Sequence, residues 1–320
     1  MPSSEARSNR ELYRSDLLIG DCFVPRNDAF LSSGTMKKST IFIALAAVMA
    51  WGQNKVSAQT KPLFTGAIGV QAYTFRSSMP KATAAVLDTI KSLGITEIEG
   101  EGPKGMPPEE FRKMCDDRGI SIPSTGAGYE AIVNDPGSAI KLAKILGAKY
   151  VMVAWIPHGK EFTLDDAKKA AADFNRVGKI LSEAGLTFCY HNHGYEFGTY
   201  NDGTLFDYIA QNTDPKYVSF EIDILWSFHG GQDPAALINK YPSRMKLMHL
   251  KDIRKDVAND LTGGTDTKND VALGTGQIDI PGVLKAAKKA GIKHYFIEDE
   301  SPSYSQQLPI TIAYIKGLKD

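Results

Sequence analysis

The sequence predicts a single-domain α/β barrel of the (β/α)₈, or TIM barrel, type, and three observations lead to this prediction. A helical stretch that ends in glycine and is followed at once by a short apolar strand occurs five times. About eight strands can be counted in roughly 260 residues, which is a usual size for this barrel. His, Asp and Glu residues follow the later strands, at the end of a barrel where active sites lie. An open, doubly wound sheet would also explain the repeat, but no Gly-x-Gly-x-x-Gly follows the first strand to seat a dinucleotide.

The recurring glycines mark the ends of predicted helices. A glycine just past the last helical turn adopts the left-handed conformation that ends a helix. The segments that follow are short and rich in β-branched and aromatic residues, as buried parallel strands are. The glycines are Gly94, Gly119, Gly147, Gly185 and Gly291.

The predicted strands follow one another along the chain, separated by amphipathic helical segments such as 165–182 and 282–290. A polar loop at residues 253–276 interrupts this order, and loops of that length in compact domains are usually functional. The predicted strands are residues 68–73, 97–101, 121–124, 150–154, 187–191, 217–222, 245–250 and 295–298.

The composition excludes several classes of protein. Apolar residues make up 42% of the chain and charged residues 23%, which is typical of a globular protein and not of a disordered one. The formal net charge is zero, so no nucleic-acid partner is expected. The three cysteines (Cys22, Cys115 and Cys189) cannot form a disulfide framework, and no Cys-x-x-Cys pair indicates a thiolate zinc site.

Residues 36–58 have the pattern of a cleavable signal peptide. A basic Met-Lys-Lys start precedes an uncharged run at residues 41–51, and the small residues Val-Ser-Ala close the segment. The run is too short to span about 30 Å of hydrocarbon, so no stable membrane span is expected after cleavage. Residues 1–35 are interpreted as a mis-assigned N-terminal extension, and residues 59–320 as the barrel, which is expected to be periplasmic or secreted.

Four neighbouring strands each end in side chains that can bind a metal. Because adjacent parallel strands lie about 4.8 Å apart, side chains at their carboxyl ends can reach a common point. A mixture of carboxylates and imidazoles suits a divalent ion such as Mn²⁺, Zn²⁺ or Fe²⁺. His294 precedes the last strand and is expected at the opposite end of the barrel. The candidate metal ligands are His191, Asp223, His249 and Glu298.

Five short phrases of the chain carry a family resemblance. They are Tyr-His-Asn-His-Gly-Tyr-Glu-Phe at 190–197, Glu-Ile-Asp-Ile-Leu-Trp at 221–226, His-Leu-Lys-Asp at 249–252, Leu-Gly-Thr-Gly-Gln at 273–277 and Ile-Glu-Asp-Glu at 297–300. Together they resemble the xylose isomerase-like barrel superfamily, whose members are commonly labelled sugar phosphate isomerase/epimerase. The resemblance covers about residues 66–318.

The resemblance implies a metal set of Glu, Asp, His and Glu on strands five to eight. Asp223, His249 and Glu298 match three of these positions, whereas His191 stands where many members have the first glutamate. His191 is the preferred fourth ligand, Glu196 in the following loop is the alternative, and His193 is the reserve choice. In the epimerases that first glutamate is one of two carboxylates that move the proton on opposite faces of the sugar. Its replacement leaves Glu298 as the main carboxylate base.

The resemblance also implies an isomerase/epimerase-like enzyme that uses a divalent metal ion and removes a proton next to a carbonyl. No arginine cluster is visible that could clamp a phosphate, so the expected substrate is a non-phosphorylated keto-sugar or keto-glycoside. A keto-glycoside lyase or hydrolase on the same site and a non-catalytic, periplasmic sugar-binding barrel are the alternatives. The catalytic candidates are Glu298, His191 and His193, and the candidates for substrate binding are Trp226, His229, Lys251 and Glu196.

Overall fold

Eight parallel strands form one sheet in the computed structural model, which describes residues 61–320. The predicted extension at 1–35 and the predicted signal peptide at 36–58 lie outside the described residues. The strands are β1 (Ala67–Gln71), β2 (Glu97–Glu99), β3 (Ser124–Gly126), β4 (Tyr150–Val153), β5 (Thr187–His191), β6 (Val218–Asp223), β7 (Met245–Leu250) and β8 (His294–Ile297).

The sheet curls until its two edges meet. Neighbouring strands are hydrogen-bonded in the order β2-β1-β8-β7-β6-β5-β4-β3, so β2 and β3 are the two edges. Between them, the Ile98 N–H donates to the Ser121 carbonyl at 2.9 Å and the Gly100 N–H donates to the Ser124 carbonyl at 3.2 Å. These bonds nearly close the sheet into a barrel, which confirms the predicted TIM barrel against the open sheet.

Local signals in the sequence set the ends of the helices. The Thr163 side chain accepts from the Asp166 N–H while the Asp166 carboxylate accepts from the Thr163 N–H, a reciprocal capping box. The five glycines predicted to end helices all have φ between +70° and +83°, in the left-handed region. No helix within residues 61–320 is both long and apolar enough to cross a membrane. The helices are α1 (Met79–Ser92), α2 (Pro108–Asp116), α3 (Tyr129–Asn134), α4 (Pro136–Leu146), α5 (Leu164–Glu183), α6 (Leu205–Gln211), α7 (Ile224–His229), α8 (Pro234–Lys240), α9 (Ile280–Ala290) and α10 (Tyr304–Gly317).

The third strand lies further along the chain than the predicted residues 121–124. Pro123 has no N–H to give to a ladder, whereas its carbonyl accepts from the Lys149 and Tyr150 N–H groups, where pairing with β4 begins. Ser121 therefore makes only an isolated bridge to Glu97, and regular pairing of β3 begins at its first residue after the proline.

An apolar layer fills the barrel beneath the carboxyl ends of the strands. Cys189, Leu247 and Phe296 form a fully buried cluster. Each stands two residues before a candidate metal ligand, so it shares that ligand's face of the strand. A Cβ on Gly69 would lie 2.6 Å from the Phe296 Cδ1, so a glycine at this point of β1 makes room for the ring. The polar strand ends thus rest on a buried, apolar floor.

The predicted loop at 253–276 is folded back over the mouth of the barrel. Its two ends pair as a short antiparallel hairpin, Asp252–Ile253 with Asp270–Val271. The Asp252 carboxylate accepts from the Gly274 and Gly276 N–H groups at 3.0 and 2.9 Å, which holds the far end of the loop in place.

Candidate metal centre

Four consecutive strands deliver the predicted ligands to the same mouth of the barrel. β5 ends at His191 and β6 ends at Asp223. His249 is the next-to-last residue of β7, and Glu298 directly follows β8. Asp223 pairs with His249 in the parallel register, so their side chains lie side by side. The barrel geometry alone therefore brings the four side chains together.

The donor atoms of these residues lie close enough to share one ion. His249 Nδ1 is 3.0 Å from His191 Nε2 and 3.2 Å from Glu298 Oε2. Asp223 Oδ2 is 3.5 Å from His191 Nε2 and 3.7 Å from His249 Nδ1. One donor atom from each residue gives a set within 4.8 Å. Because Zn²⁺ bonds nitrogen and oxygen at about 2.0–2.2 Å, donors around one ion stand about 3–4 Å apart.

The hydrogen bonds of Asp223 leave one of its oxygens free for a cation. Asp223 caps helix α7, and its Oδ1 accepts from the Trp226 N–H at 2.9 Å. Its Oδ2 is buried and has no hydrogen-bond partner among residues 61–320. A buried carboxylate oxygen without a partner is costly unless a positive charge faces it. The residues present therefore fit a divalent metal ion.

Asn192 fixes the position of Asp223 relative to His191. Its Oδ1 accepts from the Asp223 N–H at 3.0 Å, and its Nδ2 donates to the Asp223 carbonyl and to Ser227 Oγ, each at 3.1 Å. Asn192 directly follows His191 on the chain, so these bonds tie the ends of β5 and β6 together. Two of the four donors are thereby held in a fixed geometry.

The charges around the cluster favour a cation at its centre. Burial alone would lower the pKa of His249, but Glu221 and Glu298 raise it well above its ordinary value. Burial pushes the pKa of Glu298 upward, yet Lys251 and His249 hold it below its usual range. The carboxylates thus attract positive charge at this point, and a metal ion can take the place of the proton on His249.

Lys251 is a buried cation beside the cluster. Its Nζ donates to Glu298 Oε2 at 3.1 Å and to Glu300 Oε1 at 2.7 Å, and the side chain is fully buried. Burial alone would lower the pKa of Lys251, but the carboxylates around it, Glu298 first, raise it well above its ordinary value. Lys251 therefore holds Glu298 ionised and fixes its orientation.

Lys251→Met is expected to lower the free energy of unfolding by about 3–5 kcal/mol, because removal of one partner leaves buried carboxylates without a counter-charge. Urea unfolding of the two proteins at the same metal content measures the difference. Lys113→Met is the matched control, since Lys113 pairs with Asp117 at 2.7 Å on the surface. The control is expected to change stability by about 1 kcal/mol or less. Equal effects of the two substitutions would contradict the buried ion pair.

His193 stands beside the cluster in an aromatic stack. Its ring lies 5.3 Å from the Trp226 ring at an interplanar angle of 18°, and 5.0 Å from the His191 ring. Burial, with a smaller effect from His191, lowers the pKa of His193 to about 3. Its imidazole is therefore neutral near pH 7.

A cavity of about 750 Å³ opens over the cluster. His191, His193, His249 and Glu298 line its polar side. The wall formed by the first four strands and the turns after them is mainly apolar. It includes Tyr73, which is 51% exposed to solvent. The main apolar lining residues are Tyr73, Met79, Pro80, Pro103, Ala127 and Met152.

A sequence profile of known families matches most of the barrel. The profile described as xylose isomerase-like TIM barrel matches residues 87–318. The chain belongs to this xylose isomerase-like family. The match confirms the resemblance that the strand-end phrases carry.

Relatives of this xylose isomerase-like barrel include named enzymes. An inosose dehydratase of Lacticaseibacillus casei is 26% identical over 248 residues, which cover 68% of this chain and 81% of the relative. A solved sugar phosphate isomerase/epimerase from Parabacteroides distasonis ATCC 8503 is 25% identical with a TM-score of 0.65, covering 82% of this chain and 96% of that one. The solved IOLI protein with a bound zinc atom shares the fold at 15% identity and a TM-score of 0.63, covering 78% and 95% of the two chains. The chain is thus an isomerase/epimerase-like enzyme whose relatives include dehydratases.

Glu196, the alternative fourth ligand, lies away from the cluster of this xylose isomerase-like barrel. After β5 the chain turns at Gly194, where φ is +101°. The Glu196 carboxylate then points into the protein, where it accepts from Tyr190 Oη at 2.6 Å and from the His193 N–H at 3.0 Å. Burial raises the pKa of Glu196 to about 7. The structure thus brings His191, and not Glu196, to the other three donors, and Glu196 supports the backbone of His193 without lining the cavity.

The other predicted substrate-binding residues occupy three different places. Trp226 lines the cavity, whereas the fully buried Lys251 side chain lies beside Glu298. His229 ends helix α7 and packs edge-on against Trp226 at 5.9 Å, and it is absent from the lining among the described residues. His294, which was not a substrate-binding candidate, lies at the start of β8, at the end of the barrel predicted for it, and there it pairs with Glu97 at 2.9 Å.

Two buried glutamates under the cluster were missed by the sequence analysis. Glu99 ends β2 and Glu221 lies inside β6, and both are fully buried. Burial and the negative charge of Glu99 raise the pKa of Glu221 well above its ordinary value. The signal was present in the sequence, because Glu97-Ile-Glu99 alternates acidic residues with an apolar one on a strand predicted to be buried. This pattern indicates buried acidic residues, but it does not show which side chains of later strands they face.

Proposed function

We propose that this enzyme abstracts a proton next to the carbonyl of a non-phosphorylated keto-glycoside and expels the substituent on the following carbon. A divalent ion held by His191, Asp223, His249 and Glu298 would polarise the substrate carbonyl as a Lewis acid. The C–H bond breaks, a C=C bond forms, and the C–O bond to the aglycone breaks with its electron pair, while a proton returns to the leaving oxygen. Isomerisation or epimerisation by the same proton abstraction is the second candidate.

The arrangement of carboxylates carries the preference for elimination. Of the four candidate metal ligands, only Glu298 and Asp223 are carboxylates. Both already lie within ion-pair distance of Lys251 and of a neighbouring imidazole. The position on β5 where an epimerase would hold a second base is occupied by His191. His193 lines the cavity and its Nδ1 has no hydrogen-bond partner among residues 61–320, so we assign the role of proton acceptor to it. One base on one face suits removal of a proton better than its return on the opposite face.

The shape of the cavity supports a glycoside over a free sugar. A cavity of about 750 Å³ lies within the range of pockets that hold a drug-sized ligand, so a sugar together with an aglycone fits. Its apolar wall, which includes Tyr73 and Met152, offers a surface for an apolar aglycone. With the sugar at the cluster, the aglycone would point toward this wall.

The charges of the cavity wall disfavour a phosphate group. Arg76 is the only cationic side chain of Lys or Arg type that lines the cavity in the described part of the chain, and its guanidinium already donates to the Tyr73 and Glu300 carbonyls. Four carboxylates line the same wall, from Glu101, Asp270, Glu298 and Glu300. Apart from the metal centre, the cavity therefore presents a phosphate dianion with carboxylates and with an arginine that already has partners.

A turnover assay with and without metal tests the proposed function. The purified protein is stripped with a chelator, reloaded with Mn²⁺, Zn²⁺ or Fe²⁺, and mixed with a nitrophenyl 3-keto-glycoside in D₂O. We expect release of nitrophenol that requires the metal, with an unsaturated keto-sugar as the other product. Deuterium uptake without nitrophenol release would instead identify the isomerase or epimerase. Tight binding of the sugar without either signal would identify a non-catalytic binding protein.

We also propose that the barrel is exported, to the periplasm or the medium. The order of residues 36–58, basic, then uncharged, then small, supports this proposal. N-terminal sequencing of the protein isolated from its native host is expected to begin at Gln59. A cytosolic protein that retains residues 1–58 would contradict the proposal.

A further inference from the structure

A hydrogen-bond path leads from the first two strands to the side of His249 that faces away from the cluster. The Tyr73 N–H donates to Gln71 Oε1 at 3.1 Å, and Gln71 Nε2 donates to Glu99 Oε2 at 2.7 Å. The same Glu99 oxygen lies 2.6 Å from His249 Nε2. Gln71 and Glu99 end the adjacent strands β1 and β2, so the barrel itself places them under His249.

The path fixes which ring nitrogen of His249 carries a hydrogen. Because Gln71 donates its amide hydrogen to Glu99 Oε2, that oxygen acts as an acceptor and the His249 Nε2 must donate. A metal-bound imidazole has a hydrogen on one nitrogen only, so Nδ1 keeps its lone pair for the ion. Nδ1 is the atom that faces His191, Asp223 and Glu298. Glu99 Oε2 is the acceptor at hydrogen-bond distance, whereas Glu221 Oε1 is 3.5 Å from the same Nε2.

We infer that Glu99, oriented by Gln71, is a positioning residue that makes Nδ1 of His249 the metal-binding atom. This inference rests on the metal centre proposed above. A residue of β2, which contributes no ligand, would thus control the metal affinity of a centre whose ligands lie on β5 to β8. Loss of such an outer partner typically weakens metal binding about 10- to 100-fold.

Variants at two glutamates of the same strand test the inference. Glu99→Met removes the acceptor and keeps the length of the side chain, whereas Glu99→Gln keeps a neutral acceptor oxygen. Glu97→Gln is the matched control, because Glu97 lies two residues earlier on β2 and bonds His294 at the far end of the barrel. Zinc affinity is measured by competition with a chromogenic chelator. Nitrogen NMR of ¹⁵N-histidine in the zinc-loaded proteins, with the His249 signals assigned by their loss in His249→Gln, reports which nitrogen binds zinc.

The expected results separate positioning from general damage to the fold. We expect zinc affinity to fall about 10- to 100-fold in Glu99→Met, to fall less in Glu99→Gln, and to stay unchanged in Glu97→Gln. The NMR of the unsubstituted protein is expected to show zinc on Nδ1 of His249 and a hydrogen on Nε2 that exchanges slowly with water. In Glu99→Met this hydrogen is expected to exchange rapidly. If Glu99→Met does not give folded protein, the zinc affinity of Glu99→Gln and the NMR of the unsubstituted protein still test the role of Glu99.

Three outcomes would overturn the inference. Zinc bound through Nε2 of His249, or an unchanged affinity in Glu99→Met, would show that Glu99 does not set the ligand atom. Two zinc ions per chain, with the second lost in Glu99→Met, would make Glu99 a ligand of a second ion. An unsubstituted protein that binds no zinc, manganese or iron would instead reject the metal centre itself, and so the proposed function with it.

Discussion

Replacing His249 with alanine is expected to abolish tight metal binding and turnover together. His249 Nδ1 lies within 3.7 Å of the other three donor atoms, so it is central to the set. Loss of a direct ligand should lower the affinity by more than the roughly 10- to 100-fold that loss of an outer partner costs. Elemental analysis of the purified variant and the keto-glycoside assay measure the two losses.

The barrel of His249→Ala is expected to stay folded, because the apolar floor of Cys189, Leu247 and Phe296 is untouched. Circular dichroism checks this point. His294→Ala is the matched control, since His294 lies on the neighbouring strand β8 but at the opposite end of the barrel. It should keep its metal and its turnover. A folded His249→Ala protein with full metal content and activity would show that the cluster is not the metal centre.

Replacing His193 with phenylalanine is expected to lower kcat by about 10²- to 10⁴-fold, the usual contribution of a general base. Phenylalanine can keep the stack on Trp226 and the edge contact with Trp155, whose ring is 5.4 Å away. His193 Nδ1 has no hydrogen-bond partner in the described part of the chain, so no bond to that atom is lost. The metal content should remain at the level of the unsubstituted protein, which separates the base from the ligands.

His158→Phe serves as the control for His193→Phe. His158 belongs to the same aromatic group, with its ring 5.0 Å from Trp155 and 4.2 Å from Tyr195, but it is not among the described residues that line the cavity. Its substitution should leave kcat within about threefold, since it contributes no proton transfer. Equal losses in the two variants would mean that the aromatic packing, and not the imidazole of His193, supports turnover.

The grouping of the polar residues at the strand ends could be predicted, because all strands of a parallel barrel end at the same mouth. Whatever follows a buried strand lies at one mouth, so the positions of His191, Asp223, His249 and Glu298 in the sequence were enough to place them together. The helix ends were equally predictable, since Gly94 and Gly291 mark them through backbone conformation, which depends on the residue itself. The helix ends therefore follow from local residue chemistry, and the placement of the four candidate ligands follows from the parallel order of the strands.

Features that depend on the register between distant strands could not be predicted in this way. Glu99 reaches His249 across 150 residues of sequence, and only the closure of the barrel brings them within 2.6 Å. The turn at Gly194 directs Glu196 inward, toward Tyr190, where sequence spacing alone left it near the metal. Pro123 delays the regular pairing of β3 because it has no N–H to donate, and β3 pairs with β4 only from Ser124 onward. In each case the outcome depends on tertiary contacts, which the local sequence does not determine.

The imidazole of His191 at the end of β5 changes the electrical character of the centre. With Asp223 and Glu298 as the two anionic donors, and His191 and His249 as neutral ones, a bound dication would have a formal charge of zero together with its ligands. A glutamate in place of His191 would make the same assembly an anion. A neutral assembly would withdraw electron density from a carbonyl more strongly than an anionic one, because no excess negative charge opposes it. The single replacement on β5 thus exchanges a proton carrier for a stronger electrophile, which suits a reaction that expels a leaving group.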